Sequence, residues 1–115
     1  MARTAIVPQD IVATGLAPTF EAANADGEKF EGTGKEYLEV INGGGSACVV
    51  TVPTPYSQDG NSLEDLVVSV GAGLTRKIGP FPARSYNVQS GADIGQVYVN
   101  FDQVVTVTVG VFKLP

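Results

Sequence analysis

Cys48 is the one cysteine of the chain, and there is no histidine to activate it. A thiol nucleophile needs a neighbouring base or a cationic partner to hold it as thiolate. Without histidine the chain also lacks the commonest zinc ligand and the usual base of a catalytic triad. Cys48 falls in register with Val50 and Val52 on an alternating segment, so it reads as a core thiol. A lone cysteine excludes an intrachain disulfide, which fits a reducing compartment.

Three other constellations invite a chemical reading. Gly32-Thr33-Gly34-Lys35 has the flavour of a phosphate loop. A P-loop, however, needs Ser or Thr after the lysine and a helix after that. Glu36 follows Lys35 and a strand follows Glu36, so a turn is expected. Asn24, Asp26, Glu28 and Glu31 supply oxygen ligands near Gly27, but they do not complete a calcium loop. Paired carboxylates, Glu64-Asp65 or Asp93 with Asp102, could serve acid–base catalysis. No aromatic-lined cleft accompanies them, and sequence neighbours on a strand point to opposite faces. The expectation is no enzyme, no cofactor and no metal.

The chain has 115 residues and a formal charge of −5. One domain of this size buries roughly two-thirds of its unfolded surface, enough for a core without staples. Its seven basic residues are scattered rather than striped. Neither nucleic acid nor membrane is therefore expected as a partner. No signal-like apolar run follows Met1-Ala2-Arg3-Thr4, and nowhere do eighteen apolar residues run together. Export by the usual route is not expected.

Valine is abundant, and fourteen glycines with seven prolines supply turns. β-branched residues suit pleated, half-buried surfaces. Tyr37–Ile41 and Cys48–Val52 alternate on either side of Asn42-Gly43-Gly44-Gly45-Ser46, which reads as a hairpin. Leu66–Val70 and Leu74–Ile78 flank Gly71-Ala72-Gly73 and read as a second pair. A short strand is expected around Lys29-Phe30 and another at Tyr86-Asn87-Val88. Gln96–Phe101 alternates cleanly. A last strand over Val104–Phe112 sets Val105, Val107, Val109 and Val111 on one face. Residues 53–63 read as a loop, and Ser62–Asp65 allows one helical turn at most.

The fold class expected is all-β. Specifically, it is an antiparallel β-sandwich of jelly-roll or Greek-key type with about seven to nine strands. Residues 1–17 form an N-terminal arm or edge strand, and 18–115 form the sandwich domain. Ile6-Val7 and Ile11-Val12 are read either as two short strands or as an arm lying on another surface. Tyr37, Tyr56, Phe81, Tyr86 and Tyr98 cannot all be placed inside, which hints at partners.

The order of several segments resembles a known kind of protein. Arg3-Thr4-Ala5-Ile6 precedes Gly15-Leu16-Ala17-Pro18, then Ala22-Ala23-Asn24-Ala25-Asp26-Gly27 and the Leu38-to-Gly45 segment. Val70-Gly71-Ala72-Gly73, Ile78-Gly79-Pro80-Phe81, Val97-Tyr98-Val99-Asn100-Phe101 and a valine-threonine end complete the series. This is similar to the small head proteins of tailed bacteriophages, often capsid decoration (cement) or minor head proteins. The resemblance implies a virion protein on the capsid exterior, made in the host cytoplasm. It also implies the major capsid protein as partner and a homo-oligomer, with a trimer favoured. It carries no catalytic motif and no functional residue. The contact candidates are Ile6, Val7, Ile11 and Val12 of the arm, with Phe81 and Tyr86. A head–tail connector or tail component is the alternative, and a glycan-binding module the second.

Overall fold

Every second residue from Glu36 to Asn42 is buried, as is every second residue from Cys48 to Val52. That period of two sets the whole molecule. The computed structural model describes residues 3–54, 57–58, 61–62, 65–82, 86–89 and 91–113, with 57–58 and 61–62 described through backbone pairing alone. In chain order the strands are β1 (Thr4–Ala5), β2 (Gln9–Asp10), β3 (Glu21–Ala22), β4 (Glu28–Glu31), β5 (Glu36–Asn42) and β6 (Cys48–Val52). There follow β7 (Ser57–Gln58), β8 (Asn61–Ser62), β9 (Leu66–Val70), β10 (Thr75–Ile78), β11 (Gln96–Phe101) and β12 (Val107–Lys113).

Ten of these strands form two mixed sheets. The first runs β1-β4-β11-β6-β9; the second runs β10-β5-β12-β2, with β3 also on β12. β7 and β8 pair with each other. The fold is all-β and sandwich-like. The expectation of purely antiparallel sheets is corrected by two parallel pairs, β1 with β4 and β2 with β12. Both come from the N-terminal segment. All other pairs are antiparallel, and four of them nest in chain order: β4 with β11, β5 with β10, β6 with β9, and β7 with β8.

The expected hairpins are corrected as well. β5 and β6 lie in different sheets, and so do β9 and β10. Alternation reveals which face of a strand is buried, but not which strand pairs with it. Asn42 shows how the corner is built. Its buried side-chain amide donates to the Ser46 carbonyl at 2.8 Å and to the Val70 carbonyl at 3.0 Å. Its Oδ1 accepts from the Gly44 N–H. One side chain thus ties the end of β5 to β9 across the sandwich, and the glycine loop carries the chain between layers.

Inside, Leu38, Val40, Val50, Val52, Val70, Val97, Val99, Val107, Val109 and Val111 are fully or almost fully buried with Phe30 and Phe81. Small β-branched side chains from facing sheets interdigitate, and the two aromatic rings fill the wider space. Phe81 packs on Phe30 and on Tyr86, with ring centroids 5.9 and 5.5 Å apart.

The last strand starts later than its valines suggest. Thr106 has φ 57°, left-handed and costly for a β-branched residue, and the Val107 N–H closes a turn on the Val104 carbonyl. Val105 is consequently exposed rather than buried with Val107. β12 is also covered on its outer face. A Cβ at Gly110 would lie 3.0 Å from the Thr19 carbonyl and 3.1 Å from the Phe20 ring, so chain passes directly over that glycine. Phe112 meets Phe20 and Tyr37 there, at 5.7 and 5.6 Å between centroids.

Those contacts define the N-terminal segment. It extends sheet one as β1, crosses to sheet two as β2, and loops over the outer face of β12. It then returns to β12 as β3. Two short strands do form in this segment, at Thr4–Ala5 and Gln9–Asp10. They lie just beside Ile6-Val7 and Ile11-Val12, and Ile6 itself joins the core. Gln9 closes the loop by imitating a strand: its amide donates to the Thr19 carbonyl at 2.8 Å and accepts from the Thr19 N–H at 2.9 Å.

Candidate interaction surface

Several of the groups singled out for chemistry, among the described residues, make structural contacts. Cys48 is fully buried, and its thiol donates to the Gln103 carbonyl at 3.2 Å. Burial pushes the thiol pKa up, with the nearby Asp102 adding to the rise. The thiolate is therefore disfavoured. At pH 8, native protein should resist iodoacetamide and become alkylated only in denaturant, as read by mass spectrometry. Rapid labelling of the folded chain would contradict this placement.

In the Gly32–Lys35 turn, Gly34 takes φ 91°. Both the N–H and the hydroxyl of Thr33 donate to the Glu36 carboxylate, each at 2.7 Å. The donors an anion would need are turned to an internal carboxylate. Asp26, Glu28 and Glu31 do not gather as a set of acidic ligands. Asn24 bonds to Thr4 and to the Asp26 N–H, Glu28 is buried, and Glu31 is exposed. Among the described residues no three potential metal ligands cluster. Asp65 accepts from the Thr54 N–H; Glu64 lies outside the described residues, as does Tyr56.

Asp93 and Asp102 also have separate duties. Asp102 accepts from the Val49 N–H at 2.7 Å and extends the β11·β6 ladder. Asp93 accepts from the Tyr98 hydroxyl at 2.5 Å and from the Lys29 ammonium at 2.9 Å. Those two bonds, Tyr98 first, hold the Asp93 carboxyl below its usual range, and the bond to Asp93 raises the Tyr98 hydroxyl. Neither group is poised for proton transfer near neutrality. Arg3 stacks over the Tyr98 ring, 4.1 Å from its centroid, and donates to the Val99 carbonyl. The cluster is a clamp that fastens the start of the N-terminal segment.

The contact candidates separate by exposure. Val7 is 80% exposed and Val12 48% exposed, while Ile11 is partly buried. Ile6 and Phe81 are in the core, Phe81 being only 1% exposed, so neither side chain is presented at the surface. Tyr86 is half-buried against the same cluster. Val7 borders a groove of about 280 Å³ with Ala5, Gln9, Thr19, Phe20 and Gly110. Val12 borders another of about 250 Å³ with Leu16, Pro18, Tyr37 and Phe112. Two exposed valines thus stand on a segment held by both sheets, each beside a concave surface.

Sequence reasoning missed two things. The Arg3 clamp has no local signature, because Tyr98 lies far along the chain. Val67, 60% exposed on β9, carried a signal that went unread: Leu66-Val67-Val68 is apolar on both faces of the strand. Among the described residues no helix is long and apolar enough to cross a membrane. Comparison with protein-family models, curated proteins and solved structures finds no match for this chain.

Proposed function

We propose that this chain is a non-enzymatic virion structural protein, a decoration protein on the outer surface of a tailed-phage head. It bridges major capsid subunits and stabilises the shell. Neither nucleic acid nor membrane is engaged. The reading starts from the sequence resemblance. The observation that carries it furthest is the pair of exposed valines, Val7 and Val12, on a segment fastened to both sheets. An apolar contact that is already ordered costs little entropy on binding. Repetition at symmetric sites then multiplies weak contacts into avidity. The nested antiparallel pairs support the jelly-roll form of the sandwich, with β12 added on the free edge of β5.

Deleting the arm is a poor test, because Ile6 would leave the core with it. The double substitution Val7→Asp and Val12→Asp alters only exposed side chains. The folded variant is expected to co-sediment with phage heads lacking the protein at least about tenfold more weakly than wild type, the cost of losing roughly 1.4 kcal/mol of apolar contact. Undiminished binding would remove these valines from the contact. Wild-type protein that fails to bind heads at all would overturn the decoration role.

A further inference from the structure

One side of the sandwich is covered by the N-terminal strands, and the other ends, among the described residues, in two strand edges. On the covered side, β1 covers β4, while β2 and β3 share the outer edge of β12. The opposite side ends in β10 and β9. β10 is guarded by charge. Arg76 stands opposite the buried Val40 yet is itself exposed, and Lys77 pairs with Glu39 at 3.7 Å. Inward-pointing and edge lysine or arginine residues deter strand addition. β9 has no such guard. It reads Leu66-Val67-Val68-Ser69-Val70, without charge, proline or bulge.

The direction of its free groups follows from the ladder. The Asp102 N–H donates to the Val49 carbonyl and the Asp102 side chain accepts from the Val49 N–H, so Val49 faces β11. Cys48, Val50 and Val52 therefore turn toward β9, where they oppose Val70, Val68 and Leu66. The amides and carbonyls of Val67 and Ser69 point the other way. Among the described residues no backbone group is bonded to them.

We propose that β9 is a strand-pairing surface whose occupant is β9 of a second copy of this chain. The edge is self-complementary. Antiparallel pairing about Val68 sets each Val67 opposite the other copy's Ser69. These are the residues whose amides face outward, so two reciprocal pairs give about four backbone hydrogen bonds. Val68 meets Val68, and Leu66 meets Val70, on the core-facing side. No like charges are opposed. Val67, exposed in the single chain, gains a cross-strand neighbour. The two first sheets join into one continuous ten-stranded sheet about a twofold axis. β10, by contrast, would bring Arg76 and Lys77 against their own copies.

The twofold pair differs from the trimer that the resemblance implies, and it stands independently of any capsid. Sedimentation of the purified full chain from about 1 to 500 µM tests it, with far-UV dichroism and a thermal melt confirming each variant's fold. Wild type is expected to shift from monomer to dimer across that range. Ser69→Pro removes an outward N–H that the β6·β9 ladder does not use, and edge strands tolerate proline there. Val67→Lys adds an edge charge without touching the core. Both variants should stay folded and remain monomeric at the highest concentration. A wild type that is monomeric throughout, or trimeric, would overturn the proposal. So would a dimer that survives both substitutions.

Discussion

Phe81→Ala is expected to destabilise the fold by about 3–5 kcal/mol, measured as a fall in the denaturant midpoint at constant slope. The ring is 1% exposed and packs against Phe30 and Tyr86, in a core where half of the buried apolar residues are valines. A core rich in short, stiff valines has little freedom to collapse into the vacated volume. A cavity would remain, and its cost adds to the lost transfer free energy. At this chain length that is a large share of the total stability. If Phe81 were instead a surface contact, the same substitution would leave stability within about 0.5 kcal/mol of wild type.

Glu28→Gln is expected to do the opposite at alkaline pH. Glu28 opens β4 with its side chain fully buried, accepting a bond from the Asn24 N–H at 2.7 Å through Oε1. Oε2 is buried with no hydrogen-bond partner among the described residues. Burial first, with the charge of Glu21 adding to it, raises this carboxyl from 4.5 to about 7 against the lowering effect of the Asn24 bond. The unfolded chain releases this proton near 4.5, whereas the folded chain keeps it to about 7. The folded state holds more protons over that interval, so stability falls as pH rises through it and levels off above. The fall is on the order of 3 kcal/mol, at about 1.4 kcal/mol for each tenfold in proton affinity. Glutamine is neutral at every pH and abolishes this fall. Urea titrations at pH 5 and pH 8 should show wild type losing on the order of 3 kcal/mol more than the variant between the two. Parallel pH profiles for the two proteins would contradict the buried, protonated state.

Glu36 works in the other sense. Burial raises its carboxyl, but the hydrogen bonds from Thr33 and the nearby backbone outweigh that and leave it below 4.5. Its contribution is present above the ordinary value and is lost as pH falls through the lowered one. Glu28, which opens β4, favours pH below about 4.5, and Glu36, which opens β5, favours pH above it; these two buried carboxyls together favour a stability maximum near pH 4.5.

Strand positions were legible because period two is a local property. The bounds Cys48–Val52, Leu66–Val70 and Gln96–Phe101 could be read directly from alternating residues. Partners were not legible. Asn42 looked like part of a hairpin loop, yet its side chain holds Val70 of the other sheet, a contact between residues far apart in the chain. The late start of β12 hid behind a perfect valine alternation, because nothing in Val104–Thr106 announces a left-handed threonine. From sequence, Phe81 is one of five aromatics that cannot all be placed inside; in the fold its ring is buried. The candidate surface was half visible: Val7 and Val12 were named from the sequence, but their separation from the buried Ile6 required the fold.

The central claim is that this chain acts through repeated surface contacts on a shell. Electron microscopy of virions carrying it, with the copies counted and placed, tests that most directly. Density for the sandwich is expected over the outer face of the head, at every symmetry-equivalent site of the shell and with Val7 and Val12 toward the capsid. About six or twelve copies confined to the portal or tail would contradict it, as would particles that lack the chain altogether.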